Sequence, residues 1–86
     1  MGRTVTFEPQ AFQEFCAWQS VIFDQMASLT VTMAIQFVDL YGTSGSQPVS
    51  YKSQEAWSYG LQGKHRLIYQ LTDQEIRVLS CRHRRK

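Results

Sequence analysis

From Ala56 to Cys81 the chain alternates in polarity with a period of two, and this run constrains the fold more than any other feature. In Lys64-His65-Arg66-Leu67-Ile68-Tyr69-Gln70-Leu71, the side chains of Leu67, Tyr69 and Leu71 fall on one face and those of Arg66, Ile68 and Gln70 on the other. Ala56-Trp57-Ser58-Tyr59-Gly60-Leu61 leads into it through Gln62-Gly63. Thr72-Asp73-Gln74 then turns the chain into Glu75-Ile76-Arg77-Val78-Leu79-Ser80-Cys81. Three strands joined by short turns predict an antiparallel meander. A meander with one apolar face must bury that face against helices or a second sheet.

The first half of the chain supplies the cover. Thr4-Val5-Thr6-Phe7 reads as an opening strand ended by Glu8-Pro9, and Pro9 is tolerated in a first helical turn, where its missing N–H would have no helical partner anyway. Ala11, Phe15, Trp18 and Ile22 then recur at helical spacing, with Phe12 and Cys16 widening the stripe. The stretch from Gln25 to Leu40 satisfies two templates. Ile22, Met26, Leu29, Met33 and Phe37 fit a helix face, whereas Leu29, Val31, Met33, Ile35 and Phe37 alternate as a strand would. The domain built around it calls for a second helix, followed by a Gly/Ser-rich loop from Tyr41 to Pro48. The expectation is one α+β domain over residues 1–86, in the order β-α-α-β-β-β, with two N-terminal helices packed on an antiparallel sheet. Eighty-six residues suit one small domain, and 43% hydrophobic residues with only 19% charged suffice for a core.

Several classes are set aside. The longest uncharged stretch, Gln25 to Val38, has fourteen residues including Ser28, Thr30 and Thr32, against the roughly 20 apolar residues needed to span a bilayer. The N-terminus lacks the apolar core of a signal peptide, and Cys16 and Cys81 form no disulfide framework, so a cytoplasmic protein with reduced thiols and no membrane association is expected. Two cysteines far apart and two histidines, His65 and His83, show none of the ligand spacings of a zinc site, and no phosphate-binding glycine loop occurs; neither metal nor cofactor is expected. Trp18, Trp57, Met26, Met33 and Cys81 are read as core, and His65 as a hydrogen-bonded structural imidazole.

The net charge of +2 hides a strong asymmetry. Up to Tyr51 the only basic residue is Arg3, whereas Lys52 to Lys86 holds eight Lys/Arg against Glu55, Asp73 and Glu75. Clustered cations concentrate a polyanion and release its counterions on contact. If the last two strands pair about the Thr72-Asp73 turn, Arg66 comes near the start of the tail Arg82-His83-Arg84-Arg85-Lys86. Guanidinium groups and an imidazole gathered at one sheet end suit a phosphodiester. Cleavage through the RNA's own 2′-hydroxyl needs a base for that proton, cations for the non-bridging oxygens, and an acid for the leaving 5′-oxygen.

Trp57-Ser58, Lys64-His65-Arg66-Leu67-Ile68-Tyr69, Leu79-Ser80-Cys81-Arg82 before a histidine, Phe7, and Phe12-Gln13-Glu14-Phe15-Cys16-Ala17-Trp18-Gln19 together resemble the YoeB (Txe) family of RelE-type toxins. The resemblance implies a small cytoplasmic toxin of a bacterial type II toxin–antitoxin pair, a ribosome-dependent mRNA endoribonuclease. Its implied partners are a YefM-like antitoxin that folds over it, the ribosome and mRNA, with a homodimer as a further assembly. The phosphate-holding arginine matches Arg66. Gln47 stands where the family's loop, usually Lys-Pro-Glu-Pro, carries its proposed general base, and an amide cannot take up that proton at neutral pH. Tyr59 and Gly60 replace two arginines. The usual ending Cys-Arg-x-His-Tyr is here Cys81-Arg82-His83-Arg84-Arg85-Lys86, so His83 stands one position early and Arg84 occupies its place. The roles implied are catalysis at Arg66, His83, Arg84 and the Gln47 position, and RNA binding at Arg82, Arg85, Lys64 and Lys86.

The segment from Met26 to Gly45 lacks the family's basic second helix. Thr43 to Gln47 can be encoded so that a shifted frame reads Ile-Gly-Lys-Pro, which predicts a shifted reading frame there. Two alternatives to the nuclease are a toxin-like module that only binds antitoxin or ribosomal RNA, and an unrelated small nucleic-acid-binding domain.

Overall fold

The computed structural model describes residues 2–20, 25–61 and 65–81, and at 18–20 and 25–29 the backbone alone. Its elements are β1 (Thr4–Phe7), α1 (Pro9–Ser20), α2 (Gln25–Tyr41), β2 (Gln47–Tyr51), β3 (Gln54–Gly60), β4 (Arg66–Leu71) and β5 (Glu75–Ser80). The sheet runs β1-β5-β4-β3-β2. The α+β architecture with two helices on one sheet agrees with the sequence, with two differences in detail. A strand, β2, forms where a loop and its continuation were expected, giving β-α-α-β-β-β-β. The sheet is also mixed, because β1 joins β5 in parallel register with Val5 opposite Ile76 and Phe7 opposite Val78.

Local chemistry explains the boundaries. Pro9 opens α1 at its first position, and the Glu8 carbonyl accepts the first helical bond from the Phe12 N–H at 2.9 Å. α2 ends at Gly42, whose φ of +68° is the left-handed conformation that caps helices and whose N–H reaches the Val38 carbonyl. Lys52 and Ser53 both take positive φ between β2 and β3, the backbone of a tight two-residue hairpin turn. At the β4–β5 turn the Thr72 hydroxyl accepts from the Gln74 and Glu75 N–H groups. Arg3 ties the N-terminus down. Its guanidinium bonds Asp39 on α2 and the Thr72 carbonyl of that turn.

The core lies between the helices and one face of the sheet. Val31, Ala34 and Val38 of α2 and Ala11 of α1 are buried with Leu67, Tyr69, Ile76 and Val78, and Trp57 packs against them as expected. Among the described side chains the buried α2 stripe is therefore 31-34-35-38, and Phe37 of the predicted stripe is half-buried against Tyr59. Met33, expected in the core, is 63% exposed. Both stripes are apolar, and the one with valine and alanine lets α2 approach the sheet closely. On α1, Ala11 and Phe15 face inward, but Phe12 and Cys16 are exposed. The side chains of Trp18, Ile22, Met26 and Leu29 lie outside the described residues. Among the described residues no helix is long and apolar enough to cross a membrane.

Candidate functional site

Strand alternation sorts the chemistry-bearing residues by face. Leu67 and Tyr69 turn to the helices, so Arg66, Ile68 and Gln70 project from the opposite face. On β3, Trp57 and Tyr59 pair with Tyr69 and Leu67, and Tyr59 stacks on Phe37 of α2 at 5.4 Å. Ser58 and Gly60 consequently share the face of Arg66.

The register then draws one row across four strands. Gln47 of β2 pairs with Ser58 of β3, Ser58 with Ile68 of β4, and Ile68 with Ser80 of β5. Directly paired residues project from the same face, so Gln47 and Arg66 lie on one face with Ser58 between their strands. Gln47 is exposed and belongs to an edge strand, not to a loop. Arg66, paired with Gly60, lies in the next row toward the end where β5 leaves the sheet. Lys64, Arg82, His83, Arg84, Arg85 and Lys86, the other predicted site residues, lie outside the described residues.

Arg66 is half-buried, and its Nε donates to the Ser58 hydroxyl at 2.6 Å. Among the described residues that is the only hydrogen bond of its side chain, and no carboxylate pairs with it. Arg77 behaves differently. It meets Glu8 at 2.7 Å and Glu75 at 3.7 Å, and the bond to Glu8, with the charges of both carboxylates, pushes its pKa above the usual arginine value. Lys52 is bonded to Gln10 and sits over the Tyr51 ring. The basic second half is thus divided: Arg77 is ion-paired within the fold, and Arg66 meets no carboxylate among the described residues.

Beside the row, Glu14 of α1 anchors the end of β5. One carboxylate oxygen accepts from the Ser80 hydroxyl and the Cys81 N–H, both at 3.0 Å, and the other accepts from Gln10, whose amide also reaches the Tyr51 hydroxyl. Cys81 is fully buried, as expected, with its Sγ against the Ala11 carbonyl. Burial, and secondarily the Glu14 charge, pushes its thiol up to about 12, so it is packing and not a nucleophile. Leu79 is the extra residue of a bulge between β5 and β4, which explains why Val78 to Cys81 are all buried in succession. Sequence reading missed the contacts of Ser58 and Glu14. Ser58 could have been found by pairing the alternating faces of β3 and β4, whereas Glu14 carries no local signal.

Comparison with known proteins fits this geometry. The Toxin YoeB of Mycobacterium bovis is 27% identical over 84 residues, covering 94% of this chain and 96% of its own length. The structure of the YoeB dimer from Staphylococcus aureus superposes with a TM-score of 0.80 at 25% identity, covering 99% of this chain and all of that one. The heterotetrameric YoeB–YefM toxin–antitoxin complex from the same organism gives 0.77 at 26% identity, with the same coverage. The model describing the YoeB-like toxin of bacterial type II toxin–antitoxin systems matches residues 7–84, including the divergent second helix. With the fold and nearly the whole length in agreement, this chain belongs to the YoeB-like toxins of type II toxin–antitoxin systems.

Proposed function

We propose that this toxin is a single-domain cytoplasmic endoribonuclease, residues 1–86, that cuts mRNA on the ribosome and is held inactive by a YefM-like antitoxin. The observation that carries the reading is Arg66, a guanidinium without a carboxylate partner among the described residues, on the sheet face opposite the buried core. Its charge and its two terminal nitrogens suit the non-bridging oxygens of a phosphodiester approached by the neighbouring 2′-oxygen. His83 or Arg84 would protonate or stabilise the leaving 5′-oxygen. Arg82 and Arg85 would neutralise developing charge, and Lys64 and Lys86 would hold the flanking backbone. Family membership supports the class of reaction, and the antitoxin complex and dimer of the Staphylococcus aureus relatives support the same assemblies here.

Gln47 favours a second reading. It lies on the same face as Arg66 but cannot accept the 2′-hydroxyl proton, so cleavage is slow, and the limiting case is a toxin-like module that docks on antitoxin or ribosomal RNA without cutting. The experiment is cleavage of a ribosome-bound message mapped to the nucleotide, with wild type, Arg66→Ala and Gln47→Glu. The nuclease reading expects cuts that fall steeply to a measurable residue in Arg66→Ala and increase in Gln47→Glu. Tight ribosome or antitoxin binding with an intact message in both wild type and Gln47→Glu replaces it with the binding module.

A further inference from the structure

Arginine is a long, rotationally free side chain, and a phosphate site gains from it only when the guanidinium is already aimed. Two features of β3 aim Arg66. Ser58 is 2% exposed, and its hydroxyl, which burial obliges to find a partner, accepts from Arg66 Nε at 2.6 Å. Two residues on, Gly60 carries no side chain where the guanidinium lies. A Cβ there would stand 3.5 Å from Nη1 and 4.0 Å from Cζ, so any longer side chain would contend for the same space. Because Ser58 occupies Nε, the side-on edge of the fork is taken and the end-on pair, Nη1 and Nη2, is left to receive two oxygens.

Resting on the phosphate-binding reading of Arg66, we infer that Ser58 is a positioning residue that fixes Arg66 for end-on, two-oxygen capture of the scissile phosphate, with Gly60 providing the room. Ser58 itself touches no substrate. The absence of a side chain at position 60 lets the guanidinium lie close against β3.

The test combines a kinetic cycle with a spectroscopic one. Ribosome-dependent cleavage is measured for wild type, Ser58→Ala, Ser58→Thr, Arg66→Ala and the Ser58→Ala/Arg66→Ala double variant, and the Arg66 Nε–H resonance is followed by nitrogen-15 NMR. Ser58→Ala is expected to lower kcat roughly 10- to 100-fold while KM for the ribosome moves less than about 3-fold. Ser58→Thr, which keeps the hydroxyl, restores the rate, and Ser58→Ala has no further effect once Arg66 is gone. The Nε–H signal exchanges slowly in wild type and Ser58→Thr and is lost to fast exchange in Ser58→Ala. A Ser58→Ala protein that cuts like wild type, or one that loses as much rate without Arg66 as with it, overturns the inference. If Arg66→Ala cuts like wild type, or neither wild type nor Gln47→Glu cuts, the phosphate reading of Arg66 falls. The resonance then decides separately whether Ser58 holds the guanidinium: an unchanged signal in Ser58→Ala removes that as well.

Discussion

Removing the Glu14 carboxylate should loosen the end of β5 more than any other single change to a partly exposed residue. Three donors converge on it, all at 3.0 Å: Ser80 Oγ and the Cys81 N–H on one oxygen, and Gln10 Nε2 on the other. A hydrogen bond to a charged group contributes about 1.5–3 kcal/mol, and depriving a buried N–H such as that of Cys81 of its acceptor costs about 1–3 kcal/mol. These terms overlap, because one carboxylate serves all three, so Glu14→Ala is expected to destabilise the fold by about 3 kcal/mol. Glu14→Gln retains one oxygen as a neutral acceptor, and roughly half that loss is expected. For a domain of this size each kcal/mol moves the melting temperature by about 4–8 °C, so the alanine variant should melt more than about 10 °C below wild type. Urea unfolding followed by tryptophan fluorescence measures both, and a cycle with Ser80→Ala isolates the shared bond, which should appear as about 1 kcal/mol of coupling. If both Glu14 variants unfold within about 0.5 kcal/mol of wild type, the anchoring argument is refuted.

Native alkylation at pH 8 should distinguish the two cysteines. A thiol pushed up to about 12 from an ordinary 9.0 holds roughly a thousandfold less thiolate, and Cys81 is buried besides, so Cys16 should react and Cys81 should not until the protein is unfolded. Equal labelling of the two in folded protein would contradict this. Gln47→Glu should raise cleavage by about 10²- to 10⁴-fold, the usual contribution of a positioned general base, and an unchanged rate would mean that the proton leaves by another route. Ile76→Ala should cost about 2–5 kcal/mol, whereas Met33→Ala should stay within about 0.5 kcal/mol; a large loss at Met33 would mean that the helix presents its other stripe to the sheet. The shifted-frame expectation is settled by the gene's own bases: a frame across Met26 to Gln47 that encodes neither a basic helix nor the family loop removes it.

The meander was legible because β3, β4 and β5 each bury one face, and burial writes alternation into the residue order. β2 was not, since Gln47-Pro48-Val49-Ser50-Tyr51 is an edge strand with little of either face buried and Pro48 within it, and its turn uses Lys52 and Ser53 in place of the glycine or asparagine that would have announced it. The orientation of α2 was hidden for the opposite reason. It is apolar on nearly every side, so Val38 and Met33 look equivalent until packing distinguishes them. At the site, alternation and turn placement sufficed to put Arg66 on the polar face. The Ser58 contact depends on the β3–β4 register, and the Glu14 contact on where α1 lands, neither of which is carried by a local pattern.

The parallel pairing of β1 with β5 has a temporal consequence. β1 leaves the ribosome before the rest of its sheet and can only complete its hydrogen bonds with the last strand of that sheet to be made, and Arg3, Glu8 and Glu14 likewise find partners at Thr72, Arg77 and Ser80. Such distant contacts cannot form piecemeal during synthesis. Val5 and Phe7 therefore wait, uncovered, until β5 has emerged, and the nascent chain passes through an interval in which it is open to proteases and to any segment that can pair with the vacant edge of β1.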